Sequence, residues 1–422
     1  MNRLLRSPDF RRLWLSSVAQ TAAQGIERTV TAWLALQLGA DAFAIGLIFA
    51  ARMLPSLLFG LAAGTIADQA DRPRQLLAVA AGAAALMAAF GWLVAAGGLR
   101  VGHVVLFGFV AGCVQVFDTP ARQALVLDIV PADAAQRALA LSALATRLAT
   151  ALGALAAGAL LTQAGMVPSY IVAAGVFGLA ALLVGTMRVP QAHRTHAAPP
   201  PFRQAFRDSI RMIAEVPGVR DLIVVGLICE IFAFSHLSAL PRFAQDVLAA
   251  GPAGLGTINA AVALGGAAAV ALLSLVPERV PRQPLLGATY LVFGLAIVGV
   301  AATRTVATAA IVLVVVGCCA AAFDVLQQTL IQLAVPPAQR GRAVGLWVFS
   351  IGSAPIGHLE MGALANILGV PAALLINGAL TVAAAALLLL RSPEYRWAAM
   401  ARLRGSGQPS GAATKPQRHE DA

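Results

Sequence analysis

The chain has 422 residues, a net charge of +11, 59% hydrophobic and only 12% charged residues, and a mean hydropathy of +0.80. Soluble domains carry about 25% charged residues, so this composition excludes a soluble globular protein and a disordered one, and predicts an all-α integral membrane protein. The basic residues are scattered over loops rather than gathered into one patch, which argues against nucleic acid as a partner.

Apolar runs separated by charged, Gly or Pro clusters predict twelve membrane spans, at 13–36, 44–67, 76–96, 102–121, 138–162, 168–187, 220–240, 253–276, 284–303, 306–331, 343–366 and 371–390. The first, fifth and tenth are the most polar. Arg3, Arg6, Arg11 and Arg12 precede the first run as in a signal peptide, but Gln20, Gln24 and Glu27 interrupt it and further spans follow, so an uncleaved first helix is expected. Between the sixth and seventh spans, Pro199–Pro201 are followed by alternating apolar and basic residues over 202–216. That segment reads equally as a solvated linker or as an amphipathic helix on the inner surface. Residues 397–422 are rich in Gly, Ser, Pro and charge and are expected to be disordered. The expected organisation is a six-helix bundle at 1–187, a cytoplasmic linker at 188–219, a second six-helix bundle at 220–396, and a tail at 397–422.

The two halves repeat one another. Arg72-Pro73-Arg74-Gln75 recurs as Val280-Pro281-Arg282-Gln283, and Phe117-Asp118 recurs as Phe323-Asp324, at offsets of 208 and 206 residues. Orientation follows from the basic residues. With the N-terminus inside, cytoplasmic segments hold 24 of the 30 Lys and Arg residues, the opposite loops hold only Arg100, Arg242 and Arg304, and three lie within spans. Both termini are therefore expected in the cytoplasm. The single Lys, Lys415, lies in the tail, so no phosphate-cradling loop with its lysine exists to make this chain its own ATPase. Cys113, Cys229, Cys318 and Cys319 sit in apolar runs and read as buried thiols. No cofactor or metal is expected, and no hydrolase or metalloprotease motif supports an enzyme.

A charge at the bilayer centre costs about 2.5–3.5 kcal/mol even on the mildest scale, which makes each one informative. Glu27, Arg28, Arg52, Arg147, Glu230 and Glu360 lie well inside spans, while the third, sixth, ninth and twelfth spans have none and are expected to face lipid. Ser17, Gln20, Gln24, Glu27 and Thr31 form one stripe on the first span. Similar stripes on the fifth, tenth and eleventh spans, with Asp324 on the tenth, predict a polar cavity lined by Gln24, Arg28, Arg52, Arg147, Asp118, Asp324, Phe232 and Phe234. Glu27 and Arg52 lie about 13 and 12 Å from the outer ends of their helices, so they are expected to pair. Glu230, flanked by aromatic residues that disfavour its charged form, is the first candidate proton carrier, followed by Glu360 and Glu27.

The segment Gly64-Thr65-Ile66-Ala67-Asp68-Gln69-Ala70-Asp71-Arg72-Pro73-Arg74 resembles the G-x-L-A-D-R-x-G-R-[RK] signature between the second and third spans of the major facilitator superfamily. Arg28 with Trp33–Leu38, Ile45-Gly46-Leu47 with Leu54-Pro55, and Gly352 with Pro355–Ala365 look like the branch containing the enterobactin exporter and macrolide-efflux-like proteins. That resemblance implies a secondary active transporter, and a gating loop at Gly64, Asp68, Arg72 and Arg74 with Asp68 contacting the eleventh span near 341–343. It implies partners that are a small-molecule substrate, protons and the lipid bilayer, with a monomer as the expected assembly. Proton-coupled export of a drug, siderophore or metabolite is the leading expectation. Uptake, lysophospholipid flipping or a transport-inactive receptor are the alternatives. Arg in place of Lys and Ala-rich usage point to a GC-rich bacterium, and so to a bacterial inner membrane.

Overall fold

A computed structural model describes residues 7–69, 71–187, 216–277, 279–336, 346–348, 350–391 and 395, with backbone alone at 60–69, 132 and 217. The described helices are α1 (Pro8–Gln37), α2 (Ala42–Gln69), α3 (Arg72–Ala96), α4 (Val101–Gln115), α5 (Asp118–Ile129), α6 (Ala132–Gln163), α7 (Met166–Gly185), α8 (Pro217–Ile228), α9 (His236–Arg242), α10 (Pro252–Leu275), α11 (Arg282–Ala302), α12 (Val306–Leu333), α13 (Ala354–Leu368) and α14 (Val370–Arg391). Helix starts follow local chemistry. Ser7 caps α1 by accepting from the Phe10 amide, and Asp71 caps α3 by accepting from the Arg74 amide, each with Pro in the first turn. Asp71 and Pro73, at positions where the superfamily signature has Gly and a basic residue, therefore serve to start α3.

Among the described residues, ten segments are long and apolar enough to cross a membrane. They include the polar fifth and tenth spans. The first span has the length in α1, but its polar stripe lowers its hydropathy; in the eleventh the longest described helix is α13, of 15 residues. The fourth span continues beyond its expected end at residue 121, breaking at Val116–Phe117 and resuming as α5 to Ile129. The charges that suggested a loop are neutralised within helices: Arg122 pairs with Asp118 at 2.7 Å, and Arg72 of α3 with Asp128 at 2.6 Å.

Helix α1 packs on α6 and α7, α3 on α7 and α2 on α4; in the second half α10 packs on α12 and α11 on α14. The halves meet through α6 against α10 and α2 against α13. Turns at 38–41, 97–100, 164–165, 248–251, 303–305 and 369 gather on one face, the short-turn face; the opposite face carries the ends leading to 188–215. Gly39 and Gly369 adopt φ of +76° and +83°, a left-handed conformation that lets these turns reverse the chain in few residues. The halves are sealed toward the short-turn face. Arg242 donates to the Ala40 carbonyl at 2.7 Å, Asn259 donates to the Thr29 hydroxyl at 3.2 Å, and Gly256 and Gly362 lie against the backbones of Ala154 and Ala42. Apolar side chains of α3, α7, α11 and α14, such as Trp92, Ile171, Leu295 and Leu390, point outward, as lipid-facing helices require.

The amphipathic segment expected at 202–216 (all but its last residue), the tail at 397–422 and the contact near 341–343 lie outside the described residues, as does the side chain of Asp68.

Candidate functional site

The cavity between the halves is built from mid-helix positions of α1, α6, α9, α10 and α12. Its lining includes Arg28, Thr29, Arg147, Phe234, His236, Asn259 and Asp324, and its empty volume, open mouth included, is about 960 Å³. A smaller adjoining cavity is lined by Glu27, Arg28, Phe49, Arg52, Met53 and His358, so Arg28 belongs to both. Arg28 and Arg147 are exposed to this interior space despite their central positions. Neither makes a hydrogen bond or ion pair among the described residues. Arg147 passes α10 where Gly266 leaves room, since a Cβ there would stand 3.2 Å from Arg147 Cδ.

Glu27 and Arg52 come together as their depths suggested. Arg52 Nη1 donates to Glu27 Oε1 at 2.5 Å and Nη2 to Gln115 Oε1 at 3.0 Å, while Glu27 Oε2 is buried without a partner. Electrostatic range links these groups into one series. Arg28 interacts with Glu27, Arg52 and Arg147, Arg147 with Asp324, and Asp324 with Glu230. The series crosses from the first half to the second.

Several expected residues lie elsewhere. Asp118 is buried on α5, held by Arg122 at 3.1 and 2.7 Å, and Arg122 also donates to Ser16 and Ser17 of α1. This cluster is a strut between α5 and α1 apart from the cavity lining, because a basic residue four positions on satisfies the acid. Gln24 is half-buried on α1 and absent from both linings. Phe232 is likewise absent, whereas Phe234 lines the main cavity. Two residues apart on a helix, the two side chains face roughly opposite sides, and a π turn runs over Cys229–Ala233, where the Phe234 amide donates to the Cys229 carbonyl at 3.0 Å. One inserted residue offsets everything beyond it from a 3.6-residue period. Arg72 binds Asp128 and Arg74 binds Asp71, so both arginines of the gating segment are engaged around the start of α3.

Glu230 sits on that π turn, 7% exposed, and makes no hydrogen bond or ion pair among the described residues. Gly357 of α13 presses directly on the backbone of Ile231 in the same turn. Glu360 is half-buried and accepts from Asn377 Nδ2 at 2.8 Å; Asn377 also donates to Ser235 at 3.2 Å. Asn377, His236 and Asn259 are polar residues of this interior that the sequence reading missed. Asn377 is a lone polar residue in an apolar run, and His236 and Asn259 stand among small hydroxyl residues without a neighbouring charge, so the search for charges and stripes passes over all three. Among the described residues no group of three or more His, Cys, Asp or Glu gathers to hold a metal.

With this geometry, the chain matches the profile of the transmembrane secretion effector family over residues 4–414. It is 21% identical to a staphyloferrin A transporter of Staphylococcus aureus (strain NCTC 8325 / PS 47) over 354 residues, which is 83% of this chain and 88% of that protein. Its fold is similar to that of a bacterial homolog of the human lysosomal transporter Spinster in an inward-facing, unoccupied conformation, with a TM-score of 0.66 and 16% identity, covering 96% of this chain and 99% of the other. It is also similar to a POT family transporter in complex with 5-aminolevulinic acid, with a TM-score of 0.74 and 11% identity over 92% and 96% of the two chains.

Proposed function

Because this chain belongs to the transmembrane secretion effector family, and so is a membrane transporter of the major facilitator type, we propose that it exports a small amphipathic compound by alternating access, driven by inward proton flow. The observation that carries this reading is the cavity between the halves, with charges of both signs at mid-helix and aromatic walls, sealed toward the short-turn face. The basic bias favours that face as the extracellular one, because its loops hold only Arg100, Arg242 and Arg304. The cavity is then closed to the outside and positioned to load from the cytoplasm of a bacterium, in its inner membrane, with the protein acting as a monomer. Similarity to a siderophore transporter supports including siderophores among the candidate substrates.

Glu230 is the group we assign to proton carriage. Glu27 is committed to Arg52 and Glu360 to Asn377, whereas Glu230 has no such bond among the described residues and lies in electrostatic range of the cavity acid Asp324. Its place on a π turn pressed by α13 couples its surroundings to movement of the eleventh span. Secreted metabolites and drug susceptibility of a deletion strain, complemented with wild type or Glu230→Gln, with and without a protonophore, test the reading. Wild type should restore export of at least one compound, and protonophore or Glu230→Gln should abolish it. Export that persists under both conditions removes proton coupling, and accumulation in place of secretion turns the direction to uptake.

A further inference from the structure

The charges that line the two cavities do not balance. Arg28, Arg52 and Arg147 face Glu27 and Asp324, and the Glu27–Arg52 bond leaves Arg28 and Arg147 opposite Asp324 alone. Internal symmetry explains why Asp324 lacks a partner on its own helix. In the first half Asp118 is matched by Arg122, four residues on. In the second half the equivalent Asp324 has Gln328 at that position, so it has no ion pair of its own, and the positive group in its range is Arg147 from the other half. Two guanidiniums thus stand exposed to one cavity between the halves, in range of each other, with Asp324 in range of Arg147.

We propose that Arg28 and Arg147 form an anion clamp, and that the transported compound carries a carboxylate or similar acidic group on an apolar body. The inference rests on the cavity being the transport site. A guanidinium offers two parallel donors matched to a carboxylate, which a scattered positive charge does not. Asp324 holds the place of that acid when the cavity is empty, and an acidic ligand takes over the field of Arg147 and completes the balance. Phe49, Phe234 and Leu237 receive the apolar body. A cationic compound meets two repelling groups at the same point, so the clamp rejects as well as selects.

The test uses the full-length chain in lipid nanodiscs with matched probes: dansylglycine and its methyl ester by fluorescence anisotropy, and N-decanoylglycine and its methyl ester by thermal shift. Each acid should bind at least tenfold more tightly than its ester. Arg28→Gln and Arg147→Gln should each weaken acid binding at least tenfold and leave ester binding unchanged, Arg147→Lys should retain part of the preference, and Asp324→Asn should tighten acid binding. The clamp is overturned if neither acid outbinds its ester in wild type, whether both bind alike or neither binds. It is equally overturned if Gln variants with wild-type melting behaviour hold acids as tightly as wild type. Where a Gln variant does not fold, Asp324→Asn decides, and unchanged acid affinity there rejects the proposal. Acid-selective binding without export by the complemented strain leaves the clamp standing and removes the export reading. Export of cations through a cavity blind to acids does the reverse.

Discussion

Breaking the Glu27–Arg52 bond should show how the first half holds charge inside a membrane. The two side chains are 1% and 10% exposed and meet at 2.5 Å. Arg52→Gln strands a carboxylate whose second oxygen already lacks a partner. Removing one member of such a buried pair costs about 3–5 kcal/mol. We place this variant at the low end of that range because Arg28 remains in electrostatic range of Glu27. Glu27→Gln is milder, since Arg52 keeps Gln115 and gains a neutral amide acceptor. The expected loss is roughly that of a charge-assisted hydrogen bond, about 1.5–3 kcal/mol. The double variant removes both charges and should be close to neutral, giving a coupling of about 4–6 kcal/mol. Unfolding of the purified protein in mixed micelles, titrated with SDS and followed by tryptophan fluorescence, measures all four forms. If the double variant loses as much as the two singles combined, the charges act independently and the argument fails.

Further outcomes can be checked separately. Gly357→Ala should reduce transport and destabilise the protein by about 1–3 kcal/mol, because its Cβ meets the Ile231 backbone and not a movable side chain; Gly175→Ala, with nothing within 4 Å, is the matched control and should change the melting temperature little. Reporter fusions after Arg100, Arg242 and Arg304 should report the outside and fusions after Arg74, Arg203 and Arg396 the inside, with inversion at any consistent set rejecting the orientation. Asp68→Asn should lower transport at normal membrane abundance if Asp68 latches the gating segment, and unimpaired transport leaves it an ordinary residue near the end of α2.

Much of this architecture is legible in the chain because hydrocarbon imposes so few solutions. Long apolar runs give the spans, and equal depth alone brings Glu27 and Arg52 together. Arg28, Arg147 and Asp324 stand out because a mid-span charge needs a reason, and the fold converges them on one cavity. Other features depend on neighbours that periodicity does not encode. Of the two aromatic residues expected in the lining, Phe234 reaches it and Phe232 does not, and the π turn at Cys229–Ala233 beside them has a local sequence like any other apolar helix. Asp118 was legible in principle, since Arg122 four residues on is a local signal. The bond from Asn377 to Glu360 joins different helices, so it required the packing of α13 against α14.

The seal at the short-turn face is made by glycines lying on backbone: Gly46 on His358, Gly362 on Ala42, Gly256 on Ala154 and Gly158 on Pro252. Hydrophobic free energy scales with apolar area, at about 25 cal/mol per Å², and glycine contributes almost none. Parting these surfaces therefore wets little hydrocarbon and releases few interlocked side chains. Such a joint stores little energy in either position, so the balance between its closed and parted forms is left to a small number of ionic groups deeper in the protein. In the proposed cycle, a single proton or a single bound acid then carries enough leverage to tip the whole molecule.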